Sequence, residues 1–201
     1  MNNSTGKNLL FAGVGGQGIL LISELTARAA IHAGFDVKKT EAHGAAQRGG
    51  SVVSHVRFSQ KVYSPLSKVG DVDILLSLEK LEGLRWAHYV KDGGIILLNN
   101  EERSPQPMTE KKVEYPQNIE EFLSSKGYNV QAIDAVSIAS EMGNYRAANT
   151  ILLGAMAQHT GIADEHWFAV MKENLNPKIL ELNLNAFEKG KELSEKTLAL
   201  V

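Results

Sequence analysis

The residues Gly13-Val14-Gly15-Gly16-Gln17-Gly18 end one short apolar run and open the next. Their spacing, G-x-G-x-x-G, suits a turn that brings main-chain N–H groups against a phosphate. Glycines there admit positive φ and a close approach by the ligand. A following helix adds free N–H groups and the positive end of its dipole. Gln17 sets a side-chain amide beside that helix start. A dinucleotide site also needs an acid near the end of the second strand to hold a ribose hydroxyl. Glu41, 23 residues beyond Gly18, has that position. The competing explanation is that the glycines serve tight helix–strand packing and the turn faces a protein partner.

A second group follows at once. Glu41 to Ser51 reads EAHGAAQRGGS and offers a carboxylate, the His43 imidazole, the Gln47 amide and the Arg48 guanidinium, then Gly49, Gly50 and Ser51. It leaves the second strand at the sheet edge where open α/β folds place their sites. Arg48, followed by two glycines, is suited to clamp a carboxylate or phosphate. A hydrogen-bonded structural loop or a subunit contact would use the same residues. His55 falls inside a strand and reads as a structural histidine. Glu79 and Glu82 open a helix, where acids complement the dipole. The six histidines show no metal-binding spacing, and no G-x-S-x-G elbow exists. No metal site is expected, and no catalytic residue can be assigned.

These residues need elements to position them. Asn8–Ala12 reads as a buried strand and Gly16–Ala33 as a helix closed by Gly34. Phe35–Glu41 is a second strand. Ser51–Phe58, turning at Ser59-Gln60 into Val62-Tyr63, predicts an inserted β-hairpin. Strands at Asp73–Leu78, Ile95–Leu98 and Tyr128–Asp134 alternate with helices at Glu79–Tyr89 and Ile119–Lys126. Residues 99–116, with Pro105, Pro107 and Pro116, read as a loop. From Ala135 the pattern is helical: Ala147–His159, Asp164–Lys172, and a third helix opened by Asn176-Pro177. The expectation is one domain over residues 1–201. It has a Rossmann-like, doubly wound, mostly parallel sheet over about 7–134 and a helical segment over about 135–201.

The 201 residues are 43% hydrophobic and 22% charged, with a net charge of −2, which does not point to a nucleic-acid or membrane surface. No apolar run reaches the roughly 18 residues a membrane helix needs. The N-terminus lacks a leader pattern, so a cytoplasmic protein is expected. There is no cysteine, so a cysteine-held iron–sulfur cluster has no ligands here.

Taken together, GVGGQG, EAHGAAQRGGSVVSHVRF, VYSPL and DILLSLEKLEGLR resemble the gamma-type subunit or domain of thiamine-diphosphate-dependent 2-oxoacid:ferredoxin oxidoreductases. The form from His43 to Arg57, with NTILLGAMA and KILELNLNAFEKGK, is most similar to the indolepyruvate branch. The resemblance spans nearly the whole chain. It implies a complex that decarboxylates a 2-oxoacid such as indolepyruvate with coenzyme A, giving an acyl-CoA, carbon dioxide and reduced ferredoxin. Thiamine diphosphate and the iron–sulfur clusters would belong to a larger alpha subunit, and this chain alone would be inactive. The ligand of Gly13, Gly15, Gly16, Gln17 and Gly18 would then be coenzyme A or a neighbouring subunit. His43, Gln47, Arg48, Gly49, Gly50 and Ser51 would face substrate or interface. A stand-alone NAD-binding module, using Glu41, is the alternative.

Overall fold

The computed structural model describes residues 6–43, 49–103 and 114–198, the side chains of His43 and of 196–198 excepted. Six strands are described: β1 (Lys7–Val14), β2 (Asp36–His43), β3 (Ser51–Ser59), β4 (Val72–Ser77), β5 (Val90–Asn99) and β6 (Asn129–Ile133). They form one sheet in the order β2-β3-β1-β4-β5-β6. β1, β4, β5 and β6 pair in parallel. β3 runs antiparallel to both of its neighbours. The sheet is therefore mixed, with a parallel half and one reversed strand.

The expected hairpin exists but uses a different partner. β3 folds back on β2, pairing Asp36 with Ser59 and His43 with Val52. Val62-Tyr63 forms no strand; the Val62 N–H instead donates to the Asp36 carboxylate at 2.9 Å. The β2 residues mix charged and short side chains (DVKKTEAH), a composition an edge strand tolerates. The long β-branched run of β3 is what needs two neighbours.

Helices cover both faces. On one side lie α1 (Ile19–His32), α4 (Ala135–Glu141), α5 (Ala148–Ala157), α6 (Asp164–Asn174) and α7 (Pro177–Leu198). They close over Leu9, Phe11, Val56, Phe58, Ile74 and Leu76. On the other lie α2 (Lys80–Trp86), a 3-10 turn (Ala87–Tyr89) and α3 (Ile119–Ser125). Their apolar residues meet Leu10, Ala12, Val53, Leu75 and Ile96. Successive residues of β1 and β4 thus enter opposite cores, which explains why both strands read as unbroken apolar runs.

α5 is buried nearly all round and is gripped by α7. At Gly154 an added Cβ would stand 2.0 Å from the Phe187 carbonyl oxygen, and at Gly190 one would stand 1.9 Å from that of Ile151. Each helix shows the other a bare stretch of backbone. Two polar links complete the seam: Thr150 donates to Asn183 at 2.6 Å, and His159 bonds Ser194 at 2.8 Å.

Candidate functional site

The glycine turn sits at the C-terminal end of β1, and each glycine has a separate reason to be there. At Gly13 a Cβ would lie 2.7 Å from Ile19 Cδ1 and 2.9 Å from Gln17 Oε1. Gly16 and Gly18 adopt φ of 98° and 89°, which side chains disfavour. These two conformations move the start of α1 from the expected Gly16 to Ile19. Leu21 and Ile22 turn back to the Gly18 carbonyl, leaving the Ile19 and Leu20 N–H groups without a partner among the described residues.

Gln17 holds the turn together. Its Oε1 accepts from the Val14 N–H at 2.7 Å, and its Nε2 donates to the Leu78 carbonyl and to Glu101 Oε2, each at 3.1 Å. Asn99 repeats the pattern, donating to Leu78 and to Glu101, each at 3.2 Å. Asn149 of α5 donates to the Gln17 carbonyl at 2.6 Å. One buried amide therefore ties the ends of β1, β4 and β5, and α5 secures it from above.

The described end of the second predicted group, at Gly50, meets the first. Because β2 and β3 are antiparallel, the end of β2 and the start of β3 lie at the sheet edge that carries the glycine turn. The Gly15 N–H donates to the Gly50 carbonyl at 2.9 Å, and Gly49 has φ 79°. Ser51 donates to Glu82 Oε2 at 2.5 Å. His43 ends β2, and its side chain lies outside the described residues, as do Gln47 and Arg48.

Two hollows flank the turn. One, of about 540 Å³, is walled by Val14, Ile19, Leu20, Leu21 and Val52 and is largely apolar. The other, of about 470 Å³, is walled by Gln17, Glu101, Arg103, Tyr145, Arg146 and Asn149. Gly16 and Gly18 border both.

The acids at the start of α2 do more than complement a dipole. Glu79 is 1% exposed and Glu82 4%. Glu79 caps α2 by accepting from the Glu82 N–H at 2.9 Å, and it also accepts from the Tyr115 hydroxyl and the Arg103 N–H. Burial, reinforced by the Glu79 carboxylate, pushes the Tyr115 hydroxyl well above the usual phenol range. Glu82 pairs with Arg85 at 3.3 Å. Ser51, Glu82 and Arg85 thus join the first residue of β3 to α2. Elsewhere, burial holds the His55 imidazole below its ordinary value, with Arg57 adding to the shift. It accepts from the Ser67 N–H, in keeping with a structural role.

Residues 8–193 match the family model described as pyruvate ferredoxin/flavodoxin oxidoreductase. The chain belongs to that family. Among its curated members, "Indolepyruvate oxidoreductase subunit IorB" of Thermococcus kodakarensis is 35% identical, over 96% of this chain and 98% of its own length. The Archaeoglobus fulgidus protein of the same name is also 35% identical, over 91% and 92%. A "Ketoisovalerate oxidoreductase subunit VorA" of Methanothermobacter thermautotrophicus is 31% identical over 93% of this chain but 36% of itself. The family fold agrees. The keto/oxoacid ferredoxin oxidoreductase gamma subunit of Geobacter sulfurreducens superposes with a TM-score of 0.71, covering 94% of this chain and 99% of that one at 24% identity. A 2-oxoglutarate:ferredoxin oxidoreductase from Magnetococcus marinus, solved with 2-oxoglutarate, coenzyme A and succinyl-CoA bound, gives 0.74 over 96% of this chain and 32% of that one, at 24% identity.

The geometry sets Glu41 apart from the turn. The antiparallel β3 separates β2 from β1, so Glu41 stands two strand spacings from the glycine strand, about 10 Å in place of about 5 Å. Its carboxylate pairs with Lys39 at 2.6 Å. The acid required by an NAD site is both displaced and engaged. Residues that sequence reasoning passed over include Asn149, Arg103, Arg146 and Tyr115. Arg103 and Tyr115 belong to a stretch read only as loop, and Arg146 to a helix approach with no motif. Asn149 lay inside the NTILLGAMA similarity but without a role.

Proposed function

We propose that the chain is the small subunit of a complex that oxidatively decarboxylates an aryl 2-oxoacid of the indolepyruvate type. The bond from the carbonyl carbon to the carboxylate breaks and carbon dioxide leaves. The acyl group forms a thioester with coenzyme A, a proton is released, and the electron pair passes to ferredoxin. The observation that carries this is the near full-length match to relatives named for indolepyruvate oxidation.

The residues divide the labour accordingly. With no cysteine, the chain offers nothing to hold an iron–sulfur cluster. No group of three metal-ligating side chains occurs among the described residues. In this proposal thiamine diphosphate and the clusters sit on a larger alpha subunit, the thiamine supplying the carbanion chemistry of decarboxylation. The glycine turn does fit a phosphate-bearing ligand, since Gly16 and Gly18 bare the backbone ahead of free N–H groups. We assign it to coenzyme A. Gly49 to Ser51, joined to that turn through Gly15, extend the same edge toward substrate and the partner subunit. No described helix is long and apolar enough to cross a membrane, and a cytoplasmic complex is part of the proposal.

Reconstitution tests it. The chain alone should oxidise no 2-oxoacid, and activity with ferredoxin should appear when a thiamine- and iron-containing partner is supplied. Full activity of the isolated chain, or a co-purified partner without iron, would overturn it. Calorimetry with NAD(H) should show no binding that depends on Glu41.

A further inference from the structure

A pair of side chains that the proposed reaction does not use stands at the far end of α1. His32, in the last turn of α1, and His166, in the first turn of α6, approach to 2.8 Å, Nδ1 to Nδ1. Their ring centres lie 5.1 Å apart and their planes meet at 58°. The two residues are 134 positions apart in the chain, so no spacing motif announces them. The packing of α1 on α6 brings them together.

Two imidazole nitrogens at this distance share either a proton or a metal ion. The outer nitrogen of His166, Nε2, faces Glu165 Oε1 at 3.7 Å. A carboxylate there favours the tautomer with its proton on Nε2, which leaves the Nδ1 lone pair free to bind. The nearby cations are already engaged: Arg28 by Glu24 at 2.7 Å, and Lys191 of α7 by Asp164 and Glu188. The negative end of the α1 dipole favours a positive ion. The opening of α6 does not, and its acids Asp164 and Glu165 offset that.

The distance also selects the metal. With metal–nitrogen bonds of about 2.0–2.1 Å, nitrogens 2.8 Å apart subtend about 85° at the ion. That is close to the right angle between neighbouring positions of a tetragonal or octahedral ion. A tetrahedral ion would need the nitrogens about 3.3–3.4 Å apart. A hollow of about 200 Å³ borders His166, between Gly34, Phe35, Gln60, Gly161 and Ile162. At roughly 30 Å³ for each water, it has room for the waters that would complete the coordination.

We propose that His32 and His166 form a two-histidine site for a divalent transition-metal ion of tetragonal or octahedral preference, copper(II) or nickel(II), with water in the remaining positions. On binding, the Nδ1 proton between the rings passes to His32 Nε2, so both rings stay neutral. The ion ties the end of α1 to the start of α6. It lies at the opposite end of α1 from the glycine turn and takes no part in the reaction proposed above.

Calorimetric titration of the full, untagged chain with nickel chloride at neutral pH should show saturable binding at a single site. His32→Gln, at an exposed position, should weaken binding roughly tenfold or more and leave the fold intact. His166→Gln should weaken it as much, and Glu165→Gln less. Nickel should raise the thermal unfolding midpoint of the unaltered chain but not that of the His32→Gln chain. With copper(II), electron paramagnetic resonance should show a tetragonal signal split by two nitrogens. No binding to the unaltered chain would overturn the proposal and leave the pair a hydrogen bond. Binding that survives both histidine substitutions, equal midpoint shifts in the two chains, or a preference for zinc over copper would overturn it as well.

Discussion

The glycine turn and the α5–α7 seam both depend on glycine, for opposite physical reasons. In the seam, Gly154 and Gly190 lie in ordinary helix, and what excludes a side chain is a carbonyl about 2 Å from where its Cβ would stand. In the turn, Gly16 has open space around it, and what excludes a side chain is its own φ of 98°. One region spends glycine on close packing, the other on conformation and an accessible backbone. A side chain is refused by a facing helix in the first and by its own backbone conformation in the second.

Substitutions that separate the two causes give the largest effects first. Gly190→Ala should destabilise the fold by about 3 kcal/mol or more, since neither facing backbone can yield. Denaturant unfolding would measure it, and coenzyme A affinity of the folded fraction should be unchanged. Gln17→Ala should cost about 2 kcal/mol, because the Val14 N–H and Leu78 carbonyl lose a buried partner. Its effect on coenzyme A binding in the complex should exceed that of Gly190→Ala. Gly16→Ala should cost only about 1 kcal/mol, the strain of a left-handed residue, yet should weaken coenzyme A binding measurably. Equal unfolding costs for Gly16→Ala and Gly190→Ala would abolish the distinction.

The smallest effect concerns pH at the seam. Burial, with Lys7 nearby, holds the His159 imidazole below its ordinary value of 6.5. The unfolded chain therefore binds the proton more readily than the folded one. This contribution to stability is intact above about pH 6.5 and is lost as pH falls toward the depressed folded value. His159→Gln should flatten the decline in chemical stability between neutral and mildly acidic pH, leaving the share due to His55. An unaltered slope would mean that His159 titrates normally in the fold.

The turn was legible in sequence because its signal is local: glycines at fixed spacing between two apolar runs. The strand of residues 51–58 was legible for its β-branched residues, but its partner was not, since pairing is decided by which neighbours the sheet has to offer. The expected turn at Ser59-Gln60 was a poor guide because Val62 serves as a donor to Asp36 without extending a strand. The seam was invisible for a related reason. Gly154 and Gly190 are 36 residues apart and look like weak points of two helices until the helices face each other. Arg146 lacked any motif because its setting comes from elsewhere in the chain: it stands in the 3-10 turn before α5 and borders a hollow shared with the glycine turn.

The brace at Gln17 also marks where one added charge would do the most harm. Its amide nitrogen is the donor to Leu78 and to the Glu101 carboxylate. Hydrolysis of that amide to an acid would remove the donor and bring a second negative charge against Glu101, driving apart the strand ends it now joins. A change of one mass unit at one side chain would then open the turn while the seam stayed closed.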